Sequence, residues 1–245
     1  MADIIDHGQG PVLVFLHGAG VDNRLWDPQL LVFEKTHRVI ALNLPGHGTV
    51  PAVGSVEDMA DWVHRQLTDL GINRYCVIGL SLGGMVALEL ASRHPDHVSH
   101  LVMIESVPNA IDSRIARPFA HVMLMLLRLI PVKLLAKLPG RSMGAETDDA
   151  AKYVQGAIGR MSTSNIYAVM RAALAYDGRP HLPHISMPAT IMVGEKNKAT
   201  HARAEDASRT IKAANFRVIP GAGHIANRDA VEFTNNALRA ALGDS

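Results

Sequence analysis

Six short apolar runs, at residues 12–17, 38–44, 76–80, 101–105, 189–193 and 216–219, alternate with longer segments whose apolar residues recur at helical spacing. That alternation leaves few folds open. Apolar runs without polar alternation suit strands buried on both faces, and strands separated by helices lie parallel. The chain is therefore expected to form a mainly parallel sheet with helices packed on both sides, an α/β architecture. The helices are expected near residues 26–35, 56–70, 83–93, 202–213 and 230–242. The second opens with Ser55 and, three residues on, Asp58, a start like a capping box, and closes at Gly71. The third stops before Pro95, because the residue preceding a proline resists the α region.

Residues 107–180 break the rhythm. They contain helical patterns at 119–130, 131–138 and 167–175 and no convincing strand, so they read as a helical insertion after the 101–105 strand. The expected organisation is a core made of residues 1–106 and 181–245 and a cap, or lid, made of residues 107–180. The insertion holds five of the 11 methionines (Met123, Met125, Met143, Met161 and Met170), whose side chains deform to fit irregular apolar surfaces. It also carries ten Lys/Arg against five Asp/Glu, a charge of +5, which leaves −4 for the rest. That charge suits either a solvated outer face or a lid that attracts anionic substrates. The methionines favour a hydrophobic acyl group, whereas the charge favours a substrate bearing a carboxylate.

Composition narrows the function classes. With 245 residues, 48% hydrophobic and 19% charged, the chain can bury a full core. The single cysteine, Cys76, allows no internal disulfide and falls in a strand pattern, where it is expected to be buried and inert. A formal charge of +1 gives no polycationic footprint, so nucleic-acid binding has no electrostatic support. The first ten residues have acids where a signal peptide needs a basic region and an apolar core. No stretch reaches the roughly 18 apolar residues of a membrane span. The expectation is a soluble, globular, cytoplasmic protein with no membrane span; nothing in the pattern reads out an oligomeric state.

Three motifs carry chemistry. Gly79-Leu80-Ser81-Leu82-Gly83 sits where a strand pattern ends and a helix pattern begins. A sharp turn there presents the Ser81 hydroxyl as a nucleophile and aims backbone N–H groups at the reacting centre. His17-Gly18-Ala19-Gly20 follows the first of the six strands, and an oxyanion hole is expected from the amides of Ala19 and Leu82. His17 itself is read as a brace for that loop. The two glycines lack the third glycine and the Lys-Ser/Thr of a phosphate cradle. Gly221-Ala222-Gly223-His224 lies between the last strand and the last helix, and places an imidazole able to take the Ser81 proton and return it to a leaving group. His94, His97 and His100 recur every three residues, but Pro95 keeps them off one helix face, and His181 and His184 sit in a proline-containing loop. No metal or cofactor is expected.

The order of these elements, glycine loop, serine turn, helical insertion and late histidine, resembles the α/β-hydrolase superfamily over nearly the whole chain. Within it, Asn23-Arg24-Leu25-Trp26-Asp27-Pro28-Gln29, Leu44-Pro45-Gly46-His47-Gly48 and Gly79 to Met85 are similar to the branch of 3-oxoadipate enol-lactonases and small carboxylesterases. The insertion shows no such likeness, and in this family the cap shapes the substrate pocket. The resemblance implies a Ser-His-acid triad whose aspartate follows the 189–193 strand, yet this chain reads Gly194-Glu195-Lys196-Asn197 there. Asparagine can hold a tautomer but supplies no charge to an imidazolium. Some members carry the acid after the preceding strand, where Glu105 stands, so Glu105 is the preferred third member; Glu195 or another downstream acid comes next and Asn197 last.

The expected reaction is hydrolysis of a carboxylic ester or lactone through an acyl-enzyme. Carbon–carbon bond hydrolysis of a diketone and a non-catalytic, hydrolase-like binding protein are the alternatives. Relatives that open epoxides or remove halides attack through an aspartate, so a serine at position 81 disfavours those reactions.

Overall fold

A computed structural model describes residues 3–113 and 115–243; Arg114, one of the cations counted in the insertion, lies outside them. Seven strands form one sheet: β1 (Ile4–His7), β2 (Val12–Leu16), β3 (Arg38–Leu42), β4 (Tyr75–Leu80), β5 (Val98–Ile104), β6 (Ala189–Gly194) and β7 (Ala214–Ile219). Their spatial order is β1-β3-β2-β4-β5-β6-β7, antiparallel between β1 and β3 and parallel elsewhere. All six expected strands are present. The additional strand, β1, is short and polar at an edge of the sheet; Asp6 and His7 leave no apolar run to read.

The helices are α1 (Asp27–Phe33), α2 (Val56–Asp69), α3 (Leu82–Arg93), α4 (Ala116–Leu127), α5 (Val132–Leu135), α6 (Asp148–Arg160), α7 (Thr163–Ala175), α8 (Lys198–Thr210), α9 (Ala226–Asp229) and α10 (Val231–Leu242). The Ser55 hydroxyl caps α2 by accepting from the Asp58 amide at 3.1 Å. Two elements differ from expectation. The first helix starts as a 3₁₀ turn at Asn23–Trp26, since Pro28 fits only the first turn of an α-helix. The 13-residue α6 escaped the sequence pattern because Gly156 and Gly159 lower its propensity and small alanines blur its apolar face. It is capped by Thr147, whose hydroxyl accepts from Ala150 N at 3.3 Å.

Alternate side chains of each strand feed separate cores. Val14, Leu16, Ile40, Leu42 and Val77 pack toward the face of α2, α3 and α8. Leu13, Phe15, Val39, Ala41, Cys76 and Ile78 pack toward the face of α1 and α10. Both faces are therefore dry, which is why the strands read as unbroken apolar runs. Helices α4 to α7 lie between β5 and β6 in the chain, with no strand among the described residues of that stretch; Asn109 and Asp177, near its two ends, are joined by an isolated antiparallel bridge. Helix α4 leaves Phe119 and Met125 largely exposed. No helix among the described residues is long and apolar enough to cross a membrane.

The two-sided burial makes a quantitative contrast. Ile78→Ala, at a fully buried position of a central strand, is expected to cost about 2–5 kcal/mol in denaturant unfolding. Leu31→Ala, on the outer face of α1, should stay within about 0.5 kcal/mol.

Candidate active site

Parallel strands bring their carboxyl ends to one rim of the sheet, and every element of the site hangs from that rim. At the end of β4, Ser81 adopts φ 54° and ψ −117°, a region that side chains other than glycine rarely occupy. The turn is held on both sides. Ser81 N–H donates to Ile104 O at 2.9 Å, and the Ser106 hydroxyl donates to Ser81 O at 2.8 Å. Small residues are obligatory around it: a Cβ on Gly79 would lie 2.1 Å from Gly83 O, and one on Gly83 would lie 2.1 Å from Leu16 O. Leu82 opens α3, where first-turn amides have no partner within the helix.

The next strand ends in the same way. Glu105 follows β5 with φ 50°, and its N–H donates to Met192 O at 2.8 Å. Its side chain is fully buried, and its carboxyl oxygens accept from Gly194 N, from Asn197 Nδ2 and, at 3.3 Å, from the Thr200 hydroxyl. These donors satisfy an acid whose side chain is buried away from bulk solvent. His224, from the β7–α9 loop, turns Nδ1 toward Glu105 Oε2 at 3.4 Å and lies 3.2 Å from Asn197 Nδ2. With its proton on Nδ1 the ring donates to Glu105, which leaves Nε2 as a base.

Ser81 and His224 line one cavity of about 280 Å³ together with Gly18, Ala19 and Gly20. No hydrogen bond joins the Ser81 hydroxyl to His224 among the described residues, and such bonds often tighten only around a substrate. Glu195 lies elsewhere: its carboxylate accepts from Gly221 N at 2.8 Å and makes no hydrogen bond or ion pair with His224 among the described residues. Asn197, read as a possible tautomer holder, instead donates to the Glu105 carboxylate while flanking the ring.

His17 braces the first loop. Buried at the end of β2, it donates from Nδ1 to Gly18 O at 2.8 Å and accepts at Nε2 from Leu44 N at 3.0 Å. His47 braces the same loop from the other side. Its Nε2 accepts from Gly20 N at 3.1 Å, and its ring meets His17 edge-on, with centroids 4.5 Å apart. Burial pushes the His17 imidazole down to about 4; burial and then the neighbouring His17 push His47 down to about 3. Both rings are therefore neutral hydrogen-bonding parts of the loop that carries Ala19.

Sequence reasoning missed several supports. Gly144 O accepts from His224 N at 2.7 Å. Asp229 accepts from Glu146 N and Thr147 N at 2.8 and 3.0 Å with one oxygen and from Gly223 N at 3.0 Å with the other. The contacts to residues 144–147 join segments about 80 residues apart in the chain, and no local pattern announces them. Of the other histidines, His94 and His97 meet His64 of α2 rather than His100: the His64 and His94 rings stack at 3.7 Å, while His100 bonds the Thr190 hydroxyl at 3.0 Å. His181 lies 3.0 Å from Glu89, and His184 is exposed. Cys76 is buried, and burial pushes its thiol well above the ordinary range.

The neutral pair fixes the sign of an acid response. An imidazole that is depressed in the folded state binds its proton only on unfolding once the pH drops below about 6.5, so stability is full above that value and is lost on the way down toward about 4 for His17 and about 3 for His47. Each of His17 and His47 should steepen the loss by about 1.4 kcal/mol per pH unit in that window. Unfolding measured across the window is expected to show a shallower slope in His47→Gln than in the parent.

The comparisons with known proteins agree with this layout. The model of the alpha/beta hydrolase family matches residues 13–237. A pimeloyl-[acyl-carrier protein] methyl ester esterase of Aeromonas hydrophila subsp. hydrophila is 36% identical over 101 residues, which make up 41% of this chain and 40% of that enzyme. That match therefore spans about two-fifths of the relative's own length. The enzyme of the same description from Vibrio vulnificus is 28% identical over 199 residues, 76% of each chain. Among solved structures, an enol-lactonase from Burkholderia xenovorans LB400 superposes with a TM-score of 0.88 at 22% identity, covering 98% of this chain and 95% of that one, a likeness of fold. With a family match running through β2, the Ser81 turn and the His224 loop to α10, the chain belongs to the alpha/beta hydrolase family.

Proposed function

We propose that the protein hydrolyses a carboxylic ester or lactone through an acyl-enzyme on Ser81. The observation that carries this reading is the meeting of Ser81 and His224 in one cavity, with the buried Glu105 carboxyl at His224 Nδ1. The esterase and lactonase descriptions of the similar proteins support it.

In this reading Ser81 Oγ attacks the carbonyl carbon as its proton passes to His224 Nε2. The oxyanion is held by the Ala19 and Leu82 amides, which the strained turn and the braced loop present in advance. The intermediate collapses, and the alkoxide leaves with the proton from His224. Water then attacks the acyl-enzyme, gives its proton to the same nitrogen, and releases the acid as Ser81 regains its proton. Glu105 holds Nδ1–H throughout and stabilises the imidazolium by its charge. Asn197, standing where relatives of this type carry an aspartate, serves as a donor that orients Glu105.

Residues 107–180 act as a cap over this centre. Leu135, Met143, Ile158, Ile166 and Met170 from that stretch wall the cavity opposite the strand ends. A lining this apolar favours a hydrophobic acyl group over a sugar or a small polar ester.

Ser81→Ala is expected to lower nitrophenyl acetate turnover by about a millionfold and to abolish labelling by a fluorophosphonate, with unchanged thermal unfolding. Full labelling at another residue, or activity in the variant, sinks the reading; a parent chain that neither labels nor turns over is the binding-protein outcome. Glu105→Gln should cost roughly ten-thousand-fold in kcat, while Glu195→Gln should stay within about twofold. The reverse pattern moves the acid to the later loop.

A further inference from the structure

The cavity that holds Ser81 ends against Leu135, Ile166 and Met170, and the same three side chains wall a second cavity behind it, of about 200 Å³. Neither space alone reaches the roughly 300 Å³ at which ordinary ligand pockets begin, whereas the two joined exceed it. The partition is soft: Met170 is unbranched and turns aside at small cost. The outer space is completed by Leu124, Tyr167, Thr163 and Arg128. The Thr163 hydroxyl is already engaged, accepting from Val132 N at 3.1 Å and tying α5 to α7. Arg128 is exposed at the mouth, with its guanidinium 5.4 Å from the centre of the Tyr167 ring. Arg160 faces Asp22 at 2.6 Å and Arg141 faces Asp148 at 3.1 Å, away from these two cavities; Arg128 is the Lys or Arg that lines them among the described residues, and it has no carboxylate partner there.

Joined across that partition, the two cavities would run from the Ser81 hydroxyl to a guanidinium without a carboxylate, and such a space selects for two properties in one molecule. We infer that the two cavities form a single acyl site, and that it takes an ester whose acyl part is an aliphatic chain of medium length ending in a carboxylate at Arg128. The inference rests on the ester-hydrolase reading and names its substrate class. It also reconciles the two tendencies of the insertion, since the apolar residues form the wall and the cation stands at the far end.

The test uses the full chain and nitrophenyl esters of acetate, butanoate, octanoate and dodecanoate, with the mono-nitrophenyl ester of octanedioate as the anionic counterpart of octanoate. Leu124→Trp fills the outer space and should lower the ratio of kcat/KM for octanoate over acetate by about tenfold or more. Tyr167→Ala enlarges it and should move the best chain toward dodecanoate. Arg128→Ala should lower the ratio for octanedioate over octanoate by about threefold to tenfold, and added salt should do the same in the parent but not in the variant. A chain-length profile unchanged in both Leu124→Trp and Tyr167→Ala overturns the shared acyl site, and an octanedioate ratio indifferent to Arg128→Ala and to salt overturns the carboxylate anchor. Failure of the underlying reading looks different, because the parent would then show neither acetate turnover nor fluorophosphonate labelling.

Discussion

Hydrogen bonds carried one residue past the ends of three parallel strands hold this molecule's site together. Ser81 N–H reaches Ile104 O, Glu105 N–H reaches Met192 O and Glu195 N–H reaches Ile219 O, all at 2.8–3.0 Å. Each bond continues the ladder of the strands behind it into the first residue of a loop. The ladder thereby fixes the backbone of Ser81 and Glu105 at positive φ, conformations that cost on the order of 1–3 kcal/mol each and would relax if either loop were free. Strain of this size persists only where surrounding structure over-determines it, and here the dry two-sided sheet does so.

A second layer of support is polar and neutral. His17 and His47 are spent on backbone groups of the Gly18–Gly20 loop and of Leu44, and their burial keeps both uncharged. A charged ring in either place would need a counterion, and a smaller side chain would leave buried amides without partners. The loop that presents Ala19 is thus rigid for reasons unrelated to its own glycine content.

The helical stretch between β5 and β6 is fastened to the rest of the chain beside both loops of the candidate site. Near Ala19, Asp22 accepts from Tyr153 OH at 2.8 Å and pairs with Arg160. Near His224, Gly144 O and the Asp229 carboxylate hold the segment that leads into α6. Helix α6 is anchored by these bonds and α7 by Val169, Ala172 and Ala173, which are buried in the main core, while α4 and α5 contribute exposed apolar surface and part of the cavity walls. Movement of α4 and α5 would alter the walls of the two cavities without disturbing the serine turn or the histidine loop.

Much of this was legible in the chain itself. Val/Ile/Leu runs broken by helical spacing determine a parallel sheet, because only strands dry on both faces tolerate such runs. The glycines around Ser81 determine a sharp strand-to-helix turn, because any Cβ there collides with backbone. Long-range geometry had to decide the rest. The resemblance put Glu105 ahead of Glu195 and Asn197, but only the packed chain shows that this carboxyl, 119 residues before His224, faces its Nδ1, and that Asn197 donates to it. Nor does a local pattern say that Asp229 ties the histidine loop to the insertion, that His94 stacks on His64, or that two cavities share one wall. These are meetings of residues distant in sequence. Periodicity records which face of an element is buried, and only the packed chain determines what that face meets.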